Sequence, residues 1–291
     1  MSEKMHSREL GLVLAQQLLG VDDLHYGLWG TDLELTLANV AVAQQRYTDL
    51  ILADLPTIEG SQSIKVIDIG CGTGHILAQM LDKGYEVDGV IPASYLADQV
   101  QARVDARPGA RSQVFRTTLQ DLPLQACNQS YDVALFSESF QYMPMHESFS
   151  KLKKLLKPGG RVIICDFFST KNKGDGGLGD GSFGGGHQLH DFYNLLEDDS
   201  FRLIQDHDIT ELVSPNLDLV NDVLMHKLGP AGASIGRYVR ENYPKTAWII
   251  SKIAGKKFKR AKFKYFSGLR TREVFERYKN YRHIILELSS N

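Results

Sequence analysis

Cysteine is scarce in this chain of 291 residues: Cys71, Cys127 and Cys165 stand without any paired spacing. So few thiols supply neither a disulfide framework nor a zinc signature, and they suit a reducing compartment. A charge excess is lacking as well. The 33 basic and 35 acidic residues leave a formal net charge of −2, which argues against a dedicated nucleic-acid binder. No apolar run reaches the roughly 18 residues that span a bilayer. The apolar stretch Leu10–Leu19 is broken by Gln16 and Gln17 and preceded by Glu3 and Glu9, so it reads as an amphipathic helix and not as a secretion signal. Internal repeats are missing too. What these absences leave is an ordinary globular protein, expected in the cytoplasm. Its 43% hydrophobic content and its length allow a sizeable core.

The patterns that are present divide the chain. Helices are expected over 3–19 and 32–54, around a linker, Val21–Gly30, rich in aromatics and glycine. From Ile64 short apolar runs alternate with amphipathic stretches. Strands are expected at Ile64–Ile69, Tyr85–Ile91, Gln113–Thr117, Tyr131–Phe136 and Arg161–Phe167. The intervening helices fall at 74–83, 93–106 and 146–156. This alternation implies a mostly parallel sheet covered on both faces. After a loop with eight glycines between Gly174 and Gly186 come a helix at 189–198, a strand at 201–208, a helical stretch at 210–278 and a final strand at 281–288. The expected organisation is a helical cap at 1–55, a core at 56–209, a helical insertion or lid at 210–278 and a last core strand within 279–291.

The strongest motif is Val66-Ile-Asp-Ile-Gly-Cys-Gly-Thr-Gly74. An apolar strand feeds Gly70, Gly72 and Gly74 and then a helix, which lets backbone approach a ligand beside a helix N-terminus. Dinucleotide enzymes favour G-x-G-x-x-G. Here the spacing is D-x-G-x-G-x-G, with Asp68 two residues before the first glycine. Downstream, Asp121-Leu-Pro-Leu-Gln precedes Ser130-Tyr-Asp-Val-Ala-Leu-Phe136, and Lys153-Lys-Leu-Leu-Lys-Pro-Gly-Gly160, which reads as a turn, precedes the apolar strand Arg161-Val-Ile-Ile-Cys165. In order and spacing these resemble the class I S-adenosylmethionine-dependent methyltransferase family, small-molecule type, over about residues 64–168. The resemblance implies a Rossmann-like α/β fold with a seven-stranded, mostly parallel sheet. It also implies S-adenosylmethionine as cofactor, held at Asp68, Gly70, Gly72 and Gly74. The segment His25-Tyr-Gly-Leu-Trp29 resembles one that in small-molecule members lays its tyrosine, here Tyr26, over the methionine end of the cofactor; the alternative is that Tyr26 and Trp29 are ordinary packing aromatics.

Two positions depart from the family pattern. The end of strand two usually carries an acid for the ribose hydroxyls, and Ile91 stands there. Asp88, three residues earlier, points to the opposite face of the strand, which leaves Ser94 as a shorter substitute. The Asp-Ala pair expected near the adenine is replaced by Thr118 and Leu119. A lost bond to a buried polar group costs about 1–3 kcal/mol, a loss that contacts from the cap can offset.

Methyl transfer is an in-line displacement, so the protein mainly positions a nucleophile and excludes water. A base is needed only for a protonated nucleophile. The tip of strand four, Ser137-Glu-Ser-Phe-Gln-Tyr142, is where the family faces the methyl group. This makes Glu138 a catalytic candidate, with Gln141 and Tyr142 beside it and Ser137 at the cofactor. Glu138 could instead cap the next helix. His187 and His190, an i,i+3 pair after the glycine loop, are further candidates for a base; the plainer reading is a helix-start histidine. No metal set is indicated. The glycine loop itself reads as a flexible lid.

Between Lys252 and Lys264 lie seven basic residues and no acidic one, with Ile253, Phe258 and Phe263 among them and Trp248-Ile-Ile250 before them. Residues 248–264 therefore suit contact with an anionic membrane surface or an acidic carrier protein, or form a solvated basic face. The substrate is expected to be small, amphiphilic or carrier-bound; the oligomeric state is open. Two rival functions stand beside methyl transfer. One is the same fold repurposed for other chemistry; the other is a non-catalytic binding or assembly subunit. A dehydrogenase fits least, because the third glycine is misplaced and the ribose acid is absent there too.

Overall fold

A run of buried β-branched residues ending in glycine starts the sheet. In the computed structural model, which describes residues 21, 25–124, 127–197, 200–246, 248, 252 and 266–289, seven strands form one sheet in the order β3-β2-β1-β4-β5-β7-β6. They are β1 (Lys65–Ile69), β2 (Glu86–Val90), β3 (Val114–Phe115), β4 (Tyr131–Ser137), β5 (Leu156–Ser169), β6 (Phe201–Asp208) and β7 (Lys279–Leu288). The first five pair in parallel, and β7 runs antiparallel between β5 and β6. The mostly parallel, seven-stranded α/β sheet read from the sequence is present.

Alternation along the strands divides the core into two layers. Val66, Val133, Leu135, Ile163 and Tyr281 pack with α1 (Val40–Ala53), α2 (His75–Asp82) and α3 (Ser94–Asp105). Ile67, Ile69, Ala134, Phe136, Val162 and Ile164 pack on the other face with α4 (Met145–Leu155) and α5 (Leu189–Glu197). Three further helices, α6 (Thr210–Val213), α7 (Pro215–Asp222) and α8 (Gly229–Asn242), follow β6, with a π-helical turn at Val223–Leu228 between the last two. Before β7 comes α9 (Arg272–Tyr278). The stretch after β6 is anchored at both ends, because Val213, Leu217, Val274 and Phe275 are buried in the α1–α3 layer.

Two expectations need correction, and one falls beyond reach. The helix expected from residue 32 begins as a 3-10 turn at Leu37 and becomes α-helical at Val40; ahead of it Asp32 is drawn into a bidentate pair with Arg46 across a turn. The Lys-Pro-Gly-Gly segment is not a turn before strand five but part of it. Tyr131 pairs with Leu156 and Val133 with Arg161, so the intervening residues bulge out of the ladder. Lys157 anchors the bulge through both Asp132 oxygens, at 2.7 and 2.8 Å. The helix expected at 3–19 lies outside the described residues.

Asp88 has a structural duty. Its carboxylate accepts the Tyr131 hydroxyl at 2.8 Å and the Gln113 amide at 2.8 Å, and meets Lys65 Nζ at 3.0 Å. Removing it would strand a hydroxyl and an ammonium against the core. Asp88→Ala is therefore expected to cost about 3 kcal/mol in urea unfolding. Asp32→Ala, which breaks only the exposed pair with Arg46, is expected to cost less than about 1 kcal/mol.

Candidate active site

The glycine turn sits where β1 ends beside β2. Gly70 N–H donates to the Val90 carbonyl at 2.7 Å, and Gly74 N–H to that of Cys71 at 2.8 Å. Gly70 has φ +78°, and a Cβ there would lie 2.4 Å from Ser139 Cβ. Gly72, at φ +56°, has nothing within 4 Å of a Cβ position. The first glycine thus lets two loops touch, and the second leaves space above the turn. Under it Asp68 is 2% exposed, its Oδ1 has no hydrogen-bond partner, and burial raises its carboxyl to about 7. An unpartnered buried carboxylate oxygen is costly, and a cation beside it would offset that cost.

The Ser139 that touches Gly70, and whose hydroxyl reaches the Ile69 carbonyl, adjoins Glu138 at the tip of β4. Glu138 has φ +53°, a left-handed conformation uncommon outside glycine. It does not cap the following turn, whose start has no side-chain cap. Instead its Oε1 accepts the Tyr26 N–H at 2.8 Å and the Tyr281 hydroxyl at 2.8 Å. Burial raises its carboxyl above the ordinary carboxylate range; His25 and these two hydrogen bonds oppose the rise. Tyr47 joins the group. Its hydroxyl lies 3.1 Å from those of Tyr281 and Ser137 and donates to the Cys165 carbonyl, and its ring stacks on His25 at 4.4 Å.

Tyr26 is held in place by its neighbours in the linker. Gly27 N–H donates to the buried Asn216 at 3.0 Å, Leu28 N–H to the Ala43 carbonyl and Trp29 N–H to the Leu212 carbonyl, each at 2.8 Å. Asn216 returns a bond to the Gly27 carbonyl at 2.7 Å. The Tyr26 phenol is half-buried and raised to about 12, chiefly by desolvation. Tyr142, by contrast, exposes its ring.

On the far side of the tip Asp166 is buried and accepts the Gln141 backbone and side-chain N–H groups, both at 3.0 Å. Burial raises its carboxyl to about 8. Lys279 is fully buried, donates to Ser169 Oγ at 2.9 Å and to the Gly185 carbonyl, and is lowered by burial to about 8.

The glycine loop is cross-braced instead of forming an open lid. Asp180 accepts the N–H groups of Gly174 and Gly176, while Asp175 accepts those of Gly177, Arg277 and the Tyr278 hydroxyl. The two histidines beyond it do not face a common site. His187 points Nε2 at the Phe140 carbonyl, 3.0 Å away, and His190 is exposed with Nε2 against Asn194 at 3.1 Å. Of the remaining expected residues, Ile91 and Leu119 are buried. Ser94 opens α3 half-buried, and Thr118 donates to Asp121 at 2.7 Å. The structure therefore brings Tyr26, Ser137 and Glu138 together beside the Asp68–Gly74 turn, with Ile91 at the adjoining end of β2. The residues that local pattern missed are Tyr47, Tyr281, His25 and Asp166. Of these only His25 carried a trace, as the first residue of the segment that holds Tyr26.

Residues 67–162 match the family model described as a methyltransferase domain. A sterol 4-C-methyltransferase of Caenorhabditis elegans is 28% identical over 118 residues, covering 40% of this chain and 34% of that protein. A ubiquinone biosynthesis O-methyltransferase of Vibrio atlanticus is 33% identical over 121 residues, covering 41% and 48%. The chain thus spans half or less of these curated relatives. Among solved structures, the geranyl diphosphate C-methyltransferase of Streptomyces coelicolor superposes with a TM-score of 0.67 at 16% identity, over 95% of this chain and 91% of that one. The cyclase SpnF gives 0.70 at 16%, over 98% and 96%. With β7 reversed between β5 and β6, the sheet order decides the matter. The chain has the class I methyltransferase fold.

In that fold the Asp68 turn and the β4 tip share one edge of the sheet, and the reversed β7 delivers Tyr281 to it. The sheet order, with β7 inserted between β5 and β6, also differs from the 3-2-1-4-5-6 order of the dinucleotide fold, which disfavours the dehydrogenase alternative at the level of architecture.

Asp68 makes a pH-dependent prediction. Its carboxyl titrates near 7 when folded and near 3.9 when unfolded. The native state therefore loses stability from this group as pH rises from about 4 to about 7. Asp68→Asn is expected to raise Tm by a few degrees at pH 8 and by much less at pH 5 when followed by thermal denaturation. An equal shift at both values would contradict the assignment.

Proposed function

We propose that this chain transfers a methyl group from S-adenosylmethionine to a small, amphiphilic acceptor. The observation that carries the reading is the pairing, at one sheet edge, of an unpartnered buried Asp68 oxygen with the strained, half-buried Glu138. The residues fit the cofactor. Asp68 suits a cationic ammonium, the Gly70–Gly74 backbone offers close approach, and Ile91 and Leu119 supply apolar surface for a base. Thr118 is committed to Asp121, and Ile91 gives no acceptor to ribose hydroxyls. Affinity is therefore expected to lean on Asp68 and on the Tyr26 linker. The cofactor supplies the electrophilic methyl.

Glu138 is assigned the role of base. Tyr281 and the Tyr26 N–H hold one carboxyl oxygen, and burial brings its affinity for a proton closer to that needed near neutral pH. Tyr26 and the exposed Tyr142 give an acceptor apolar surface with polar edges. The relatives named for sterol and ubiquinone chemistry, together with the geranyl diphosphate enzyme, support an amphiphilic acceptor class. His187 and His190 retain no assigned part in this mechanism, since one is bonded to a backbone carbonyl and the other is exposed.

A second reading, the same fold turned to other chemistry, is favoured by Ile91 in place of the ribose-binding acid. Titration calorimetry with S-adenosylmethionine and S-adenosylhomocysteine tests the first reading: binding in the micromolar range is expected, and no heat with either at millimolar concentration overturns it. Glu138→Gln is expected to keep cofactor binding and lose turnover by roughly 10²–10⁴. In the unchanged chain, activity should rise with pH as the Glu138 carboxyl ionises. Incubation with methyl-labelled cofactor separates the second reading, which yields product without label.

A further inference from the structure

The charge of the chain is near zero only as an average. Residues 223–270 hold 12 of its 33 basic residues and one of its 35 acidic residues, Glu241. The described part of this stretch includes α8, none of whose residues is buried. Ile235 and Tyr238 on α8, then Tyr243 and Trp248 beyond it, each leave more than half of their surface exposed. Ile235 and Tyr238 are three apart and share a helix face, with Arg237 and Arg240 in the same turns. Lys252 Nζ lies 4.3 Å from the centroid of the Trp248 ring, so the aromatic series runs into the basic one.

Solvated helix faces carry charge of both signs and few large apolar groups. Here nearly one sign is present, and the apolar side chains are aromatic or branched. Aromatic rings with a polar edge and cations on long stems are the side chains that settle at a lipid headgroup boundary. We infer that α8, with Tyr243, Trp248 and Lys252 beyond it, is an arm that docks this protein on an anionic membrane surface, through Ile235, Tyr238, Tyr243 and Trp248 as apolar anchors and Arg237, Arg240 and Lys252 as headgroup contacts. No helix among the described residues is long and apolar enough to cross a membrane, so the docking is peripheral. Charge complementarity selects the lipid: the rest of the chain carries an excess of acid, which favours contact through the arm alone. The inference does not depend on methyl transfer, although an amphiphilic acceptor would be reached at such a surface.

The test is sedimentation of the full chain with two kinds of vesicle, one of phosphatidylcholine alone and one of equal parts phosphatidylcholine and phosphatidylglycerol. The chain is expected to pellet with the anionic vesicles and not the neutral ones. Release is expected at about 1 M salt, where the Debye length falls to about 3 Å. Tyr238→Ser with Trp248→Ser, and separately Arg237→Glu with Arg240→Glu, should each weaken partitioning about tenfold or more. Both double variants should keep the parent circular dichroism spectrum and Tm, because the substituted residues are not buried. Equal pelleting with both vesicles, no pelleting with either, or parent-like partitioning of both folded variants overturns the inference. Retention of the chain by an immobilised acidic carrier protein without vesicle binding also overturns it. None of these outcomes bears on cofactor binding, which calorimetry reads separately.

Discussion

The carboxyl of Glu138 is where distant parts of the chain are tied to one another. Its Oε1 takes a backbone N–H from the linker before α1 and a hydroxyl from the last strand, while its own N–H continues the ladder to the Cys165 carbonyl. A carboxylate largely withdrawn from water tolerates its surroundings only while such donors stay in place. Linker, α1 and β7 must therefore close together around the β4 tip. The left-handed backbone at Glu138 has the same origin, because the chain leaves the strand sharply to set Ser139 against Gly70. Strain in one residue is exchanged for contact between two loops.

The reversed β7 makes that closure possible. A parallel strand beside β5 would leave its N-terminal residues at the opposite edge of the sheet. Running antiparallel, β7 pairs Tyr281 with Phe167 and His283 with Cys165, so its first residues arrive beside the β4 tip. His283, two residues on, is fully buried and meets Asp54, just beyond α1, at 2.7 Å. Alternation along one strand thus fastens α1 at two levels: Tyr281 reaches Tyr47, and His283 reaches Asp54. Desolvation lowers the His283 imidazole and Asp54 opposes it; the aspartate supplies a polar partner at Nε2, while Gln205 stands 3.4 Å from Nδ1.

What was legible in the sequence was local. The Asp68–Gly74 turn, the strand alternation and the Lys157-Pro-Gly-Gly segment are short patterns whose physical causes lie within a few residues of one another. They gave the fold and one wall of the site. The other wall is built by Tyr47, Tyr281 and Asp166, each an unremarked inward position in its own element. Their meaning comes from contacts across 143 positions for Tyr281 with Glu138 and 25 for Asp166 with Gln141. The histidines misled for a related reason. His187 and His190 stand three apart in sequence, but the first precedes the helix and is turned to the Phe140 carbonyl, so helical spacing does not apply to it. The strand-five bulge was read as a turn because Pro and Gly mark both, and only the register of β4 distinguishes them.

Two buried carboxyls and one half-buried carboxyl crowd this edge, and their partners differ in a way that bears on mechanism. Asp166 is satisfied by three N–H groups, two from Gln141 and one from Phe167, so nothing further is needed to hold it. Asp68 has an oxygen with no partner, so its ionised form waits on a cation from outside the chain. Glu138 lies between these cases, with one oxygen committed and its proton affinity raised by burial and restrained by its donors. Under the methyl-transfer reading a cationic cofactor would favour ionisation of Asp68 directly and of Glu138 by proximity. Binding of the cofactor would then draw the base toward its working form. After transfer the sulfonium charge is gone, and the carboxylate would lose that support and favour keeping the proton it has taken. The sulfonium charge, present before transfer and lost with the methyl while the ammonium beside Asp68 is unchanged, would in this way bias Glu138 toward accepting a proton at the start of the cycle and toward holding it at the end.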